Sequence, residues 1–425
     1  MRLPVFTFQW HFTDICNLRC RHCYRGDGEV AGLPQQQLEA IAADVLESAS
    51  RLRVRPDLGL TGGEPLAVPQ LLFGLMDHLK ERYWGRAPLS ATLMTNGTLI
   101  TPEVARRLAA YHPLLSGAQV SLDGASPATN DAIRGRGSFA RALEGIAHLV
   151  GKTPLRVVIS YTFHRGNLGD LEEMVRLTEE TGAHVLYATR LVPIGRGREL
   201  AVGAAAGEPS APVEPGGAGA PKGLARGTTP AADLPGRGPE PEAAASLSSE
   251  DVRQALEHLY RREQGFASAR ARGERRPHIA MARTLFHLVD PEEAIRRLKA
   301  QREAADGDGA GPPRLGNACA VGFTTATILA DATLLACRRM PLPLGNLAQE
   351  RFLEIWGRSD LLWKFRARGA RLKGKCATCR FNREPLSALC RGGAACMSHA
   401  CLGDFDLPDP HCWYRPEGEV GGLCP

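Results

Sequence analysis

Asp14-Ile15-Cys16-Asn17-Leu18-Arg19-Cys20-Arg21-His22-Cys23-Tyr24 follows directly on a β-rich run, Val5 to Thr13. Its three thiols therefore fall in a loop at the carboxyl end of an opening strand, where α/β barrels gather their reactive groups. Spacings of three and two residues let one short loop curl around a single iron-sulfur cluster, each thiolate on a different iron and the fourth iron without a protein ligand. Such an iron can accept a substrate or cofactor, whereas a fourth cysteine would close the cluster and suit electron transfer alone. A zinc ion would want four closed ligands. The histidine at hand, His22, lies inside the loop between two of the cysteines.

The other cysteines also point to metal ligation. Of twelve, none lies between residues 24 and 318, and nine run from Cys319 to Cys424. Disulfide scaffolds are typically short secreted chains, and this chain has 425 residues, 44% of them apolar. Its amino terminus carries one positive charge and no apolar core leading to a small-residue cleavage site, so no signal peptide is read. No apolar run reaches the roughly 18 residues of a membrane-spanning helix. A cytoplasmic protein with no membrane partner is expected. The net charge of +6 comes mostly from arginine, with basic runs at Arg270 to Arg276 and Lys364 to Lys375. Solvated helix faces and an acidic partner surface both fit them.

Up to about Arg196, short β-rich runs alternate with longer amphipathic ones, as parallel strands with helical crossovers require. The strands are read at Val5 to Thr13, Asp57 to Thr61, Ala91 to Thr95, Ala118 to Ser121, Leu155 to Phe163 and His184 to Ala188. Helices are read at Pro34 to Ser50, Pro69 to Tyr83, Thr101 to Tyr111, Phe139 to Val150 and Gly169 to Thr181, with a further one at Glu250 to Gln264 capped by Ser249. The expected organisation is a core barrel over 1–200, a disordered Ala/Gly/Pro-rich insertion over 201–247, a helical end of the core and connector over 248–316, and a cysteine-rich unit over 317–425. The insertion reading rests on composition, because so few large apolar side chains cannot offset the entropy of ordering.

The triad, with an aromatic residue before its last cysteine, resembles the signature of radical S-adenosylmethionine (SAM) enzymes. Further segments agree in order: Gly62-Gly63-Glu64-Pro65, Met94-Thr95-Asn96-Gly97, Val120-Ser121-Leu122-Asp123-Gly124, then Asn130 to Arg134 followed by Gly137-Ser138-Phe139. The resemblance implies a partial (β/α)6 barrel in which Cys16, Cys20 and Cys23 hold a [4Fe-4S] cluster whose open iron is chelated by SAM. It also implies that the Gly62, Gly63 and Glu64 segment binds the cofactor's amino group, the glycines letting backbone approach the ligand. Glu64, Ser121 and Arg134 are the candidates for holding its amine and ribose.

The tail resembles the small, loop-rich SPASM domain, which carries up to two auxiliary [4Fe-4S] clusters. Matching features are a hairpin from Ile328 to Cys337, Gly345-Asn346-Leu347, Ile355-Trp356, the Cys376 and Cys379 pair, Cys390-Arg391-Gly392-Gly393 and Asp409-Pro410-His411-Cys412. Ala332 stands where the family usually has glycine. The family pattern puts Cys376, Cys379, Cys390 and Cys412 on one cluster and Cys319, Cys337 and Cys396 on another, with Cys401 or Cys424 as its fourth ligand or a free thiol. Together the two resemblances imply an enzyme that forms a 5'-deoxyadenosyl radical and modifies a side chain of a ribosomally made precursor peptide. Its expected partners are that peptide, a low-potential electron donor such as flavodoxin or ferredoxin, and a separate leader-binding protein. The alternatives are a sulfatase-type maturase, a haem-tailoring enzyme, and a zinc-stabilised interaction protein.

Overall fold

The computed structural model describes residues 3–25, 30–202, 246–281, 285–307 and 318–416. Residues 203–245 of the stretch expected to be disordered, the boundary near 316 and Cys424 fall outside the described residues, whereas 201–202 end a helix and Leu247 is buried.

Seven parallel strands make the core: β1 (Val5–His11), β2 (Arg55–Thr61), β3 (Ser90–Thr95), β4 (Leu115–Ser121), β5 (Arg156–Phe163), β6 (Val185–Arg190) and β7 (His278–Met281). Between and after them run α1 (Gln35–Arg51), α2 (Pro69–Arg82), α3 (Pro102–Ala109), α4 (Pro127–Arg134), α5 (Ser138–Lys152), α6 (Leu171–Glu180), α7 (Gly197–Val202), α8 (Ser249–Ala271) and α9 (Pro291–Gly307). The six strands read from the sequence are present. β7 was not among them, because four residues behind a basic run carry too little alternation to register. Nor was α4, which starts on Ser126, whose hydroxyl accepts from the Thr129 amide, and stops at Gly135 with φ +104°. α8 begins one residue earlier than expected, because Ser248 rather than Ser249 forms the capping box with Asp251.

Both faces of β1 are buried. Phe6, Phe8 and Trp10 are buried on one face, and Gln9 and His11 on the other. The first face packs Phe6 and Phe8 against Phe352 and Trp356 of a tail helix, Phe352–Arg358, with the Phe8 and Phe352 rings 5.1 Å apart. The second face turns inward, where the Gln9 amide reaches the Met94 sulfur of β3 at 3.2 Å.

The tail strands join the same sheet. β8 (Thr325–Ile328) lies parallel to β1, and β9 (Thr333–Cys337) and β10 (Met340–Asn346) follow antiparallel. The strand order is β10-β9-β8-β1-β2-β3-β4-β5-β6-β7. The β8–β9 turn holds Ala332 at φ +68°, a left-handed conformation that glycine adopts without steric cost. Among the described residues no helix is long and apolar enough to cross a membrane.

Candidate active site

The triad loop leaves β1 at His11 and is gripped from four sides. At the end of β2, the Gly63 amide donates to the Thr13 carbonyl and the Glu64 amide to the Ile15 carbonyl, both at 2.8 Å. A methyl group on Gly63 would lie 2.2 Å from the Ile15 oxygen. What demands glycine here is thus the triad loop itself, a closer cause than the approach of a ligand. At the end of β3, the Asn96 amide side chain donates to Asn17, and Asn17 in turn to Thr98. The carboxyl end of α4 takes the Arg21 amide on the Ile133 carbonyl. After β6, Arg196 donates from its backbone to the Cys23 carbonyl and from its guanidinium to the Cys20 carbonyl, each at 3.0 Å. Arg196 carried no sequence signal of this role.

Glu64 is fully buried, and its carboxylate accepts from Leu66 N (3.1 Å), Thr95 Oγ1 (2.7 Å) and Asn96 N (2.7 Å). Three of about four acceptor positions are thus taken by the chain. Burial pushes this carboxyl upward despite those bonds. Ser121 lies half-buried at the end of β4.

Beside the thiols sits a charged knot. Asp123 follows β4, and its Oδ2 meets Arg134 Nη2 and His22 Nε2, each at 2.6 Å, while Oδ1 accepts the Thr162 amide. Burial alone would raise this carboxyl, but Arg134 and His22 hold it well below the usual range. The other Arg134 nitrogen, Nη1, is 3.9 Å from the Cys20 sulfur. His22 Nδ1, Arg134 Nε and His164 Nε2 are buried without a hydrogen-bond partner. Three unpartnered polar atoms around one carboxylate fit a site built for a polar ligand, since buried polar groups are otherwise paired. His164, just past β5, was not singled out in the sequence.

The tail thiols fall into two groups. Cys376 feels the charges of Cys412, Cys390 and Cys379. Cys396 shares a hydrogen bond with Cys337 and feels Cys319. In that pair the shared bond, with Arg339 and Arg338 acting against burial, draws Cys337 below the ordinary thiol range. Burial pushes the Cys390 thiol up to about 12 and the Cys20 thiol to about 11, so these sulfurs become thiolates when a metal compensates their charge. Cys401 is exposed, and the charges acting on it are Asp409 and Arg190 rather than other thiols. All described cysteines are free of disulfides, which leaves the donor set available for clusters.

The barrel and tail meet in a second charged knot. Arg190, at the end of β6, makes paired bonds of 2.9 and 2.8 Å to Asp409 and one of 2.8 Å to His411. Asp409 also accepts the Ala394 and His411 amides, so one buried carboxylate orients the start of the helix that carries Cys396, Ala395–Leu402, and the loop that carries Cys412.

Residues 10–178 match the Radical SAM superfamily and residues 319–380 the SPASM iron-sulfur cluster-binding domain. The chain is a radical SAM enzyme with a SPASM domain, and its cofactors are [4Fe-4S] clusters and SAM. These matches set aside the zinc-stabilised interaction protein.

Among curated relatives, the AdoMet-dependent heme synthase of Methanosarcina barkeri is 27% identical over 411 residues, 96% of each chain. The mycofactocin maturase MftC of Mycobacterium ulcerans is 35% identical over 191 residues, 45% of this chain and 48% of that protein. The fold is that of Streptococcus suis SuiB bound to its precursor peptide SuiA, with a TM-score of 0.63 and 14% identity over 97% of this chain and 77% of that one.

Proposed function

We propose that this enzyme modifies a side chain of a ribosomally made peptide. Cys16, Cys20 and Cys23 hold the reducing cluster, and the tail thiols hold auxiliary ones. The observation that carries the reading is the 35% identity to a maturase over 191 residues, 45% of this chain, above the 27% shared with the heme synthase over 411. A peptide-bound relative of the same fold supports it.

When bound, the reduced cluster and SAM supply a 5'-deoxyadenosyl radical that takes a hydrogen atom from the substrate. The protein's work is to orient and to exclude. The Gly62 to Glu64 turn seats the triad loop and offers backbone to the cofactor's amine, while the Glu64 carboxylate ties the ends of β2 and β3 together. Asp123 fixes Arg134 and His22 against the thiols, leaving Arg134 Nε and His22 Nδ1 to meet polar groups of the cofactor. Ser121 adds a hydroxyl from the end of β4. The division of the chain at 200, 247 and 316, the low-potential donor and a separate leader-binding protein belong to the same proposal.

A second reading, the tailoring of a tetrapyrrole, is favoured by alignment with the heme synthase from end to end. Anaerobically purified enzyme should be given candidate precursor peptides, a sulfatase-derived peptide and a tetrapyrrole in parallel, with deoxyadenosine and product mass followed. Coupling of deoxyadenosine to a precursor mass change is expected. A response to the tetrapyrrole alone overturns the peptide reading.

A further inference from the structure

Two of the buried arginines among the described residues pair with carboxylates. Arg134 has Asp123 and Arg190 has Asp409. Arg368 departs from this. It is 1% exposed, and its guanidinium donates to the carbonyls of Phe405, Arg391, Gly393, Gly392 and Leu407. No ion pair joins it to any carboxylate among the described residues. Carbonyl dipoles satisfy its N–H groups but leave its charge, and a buried charge without a counter-charge is costly.

The neighbouring thiols supply what is missing. Two of the carbonyls gripped by Arg368 belong to Gly392 and Gly393, which have φ of +78° and +72° and wrap the loop so that the Gly393 amide points at the Cys390 sulfur, 3.4 Å away. A methyl on Gly392 would lie 3.1 Å from Arg368 Nη2. Asn382 ties the short helix Arg368–Arg371 to the turn that carries Cys376, donating to the Gly369 carbonyl at 2.9 Å and the Cys376 carbonyl at 3.3 Å. The cation and the thiols are thus parts of one rigid unit.

We propose that Arg368 is the counter-ion of the iron-sulfur cluster held by Cys376, Cys379, Cys390 and Cys412. The inference rests on that assignment of ligands. A four-thiolate cluster is anionic and becomes more so when it takes an electron, so a fixed cation beside it favours the reduced form. Buried and shielded from solvent, that charge acts through a low dielectric and raises the reduction potential, which net charge and surroundings govern in such clusters.

The test is an EPR-monitored redox titration of the anaerobically reconstituted full-length enzyme, with dithionite as reductant and iron and sulfide counted per chain. In Arg368→Gln the tail cluster should become at least tenfold harder to reduce, a drop of about 59 mV for one electron. Arg368→Lys should lose less than half of that, because it keeps the charge while losing most carbonyl contacts. If Arg368→Gln fails to hold the cluster and Arg368→Lys holds it, charge again is the discriminating property and the proposal stands. Loss from both variants, an equal drop in both, or an unchanged potential in fully loaded Arg368→Gln overturns it, leaving Arg368 an organiser of loops. Failure of the ligand assignment shows separately, as tail iron undiminished in Cys376→Ala.

Discussion

Gly63→Ala tests how the triad loop is seated. The added methyl would lie 2.2 Å from the Ile15 oxygen and 2.5 Å from the Asp14 oxygen, both backbone atoms that cannot swing aside as a side chain would. The loop must retreat, which endangers the Gly63 to Thr13 and Glu64 to Ile15 hydrogen bonds. Overpacking costs about 1–3 kcal/mol and each bond about 0.5–1.5 kcal/mol, together about 2–6 kcal/mol. Since every ~1.4 kcal/mol is a factor of ten, even the lower end displaces the loop more than tenfold relative to its seated position. The assay is iron and sulfide content after anaerobic reconstitution, with reductive SAM cleavage measured alongside. The variant should lose the first cluster's iron and most cleavage while the tail keeps its own. Gly151→Ala is the control, because its new methyl would meet nothing within 4 Å. A Gly63→Ala enzyme with full iron and normal cleavage would refute the steric argument.

Replacing Cys16, Cys20 and Cys23 together by alanine should abolish SAM cleavage and leave iron in the tail; cleavage that persists places the open iron elsewhere. Asp123→Asn removes the carboxylate shared by Arg134 and His22, and breaking such a buried pair should cost about 3–5 kcal/mol. Calorimetry would show this as a lower melting temperature, and titration calorimetry as weaker SAM binding; a variant matching the wild type in both makes the knot incidental. Burial would raise the Asp409 carboxyl, but Arg190 holds it down to about 2. A depressed carboxyl stabilises the fold above its unfolded value of about 3.9, and that contribution fades as pH falls through about 2. Melting curves of wild type and Asp409→Asn should therefore differ at pH 7 and converge in strong acid; a constant gap at every pH contradicts this sign.

β1 to β6 could be read from the sequence because each carries buried residues in a run bounded by turn signals, and the triad because its spacing is local. The assignment of the tail thiols to two clusters comes from family resemblance alone, as residues 319, 337 and 396 are too far apart for spacing to join them. Other features had no local trace. Arg190 and Asp409 stand 219 positions apart, and nothing near either marks them as partners. Asp123 was visible as part of a strand-end segment, but its role as the meeting point of His22 and Arg134 depends on α4, a helix too short to stand out. The crowding at Gly63 comes from carbonyls of residues 14 and 15, so the need for glycine was visible while its cause was not.

The parallel pairing of β1 with β8 has a consequence for biogenesis. β1 is synthesised some three hundred residues ahead of β8, so the edge it gives to β8 stays bare until Thr325 to Ile328 have been made. An unpaired edge is an invitation to pair with another chain, and a vectorially synthesised protein carries it for as long as its partner strand is missing. The cysteine loop hangs from the carboxyl end of that same strand. Truncations ahead of β8 should therefore yield chains that aggregate through β1 rather than a free-standing barrel.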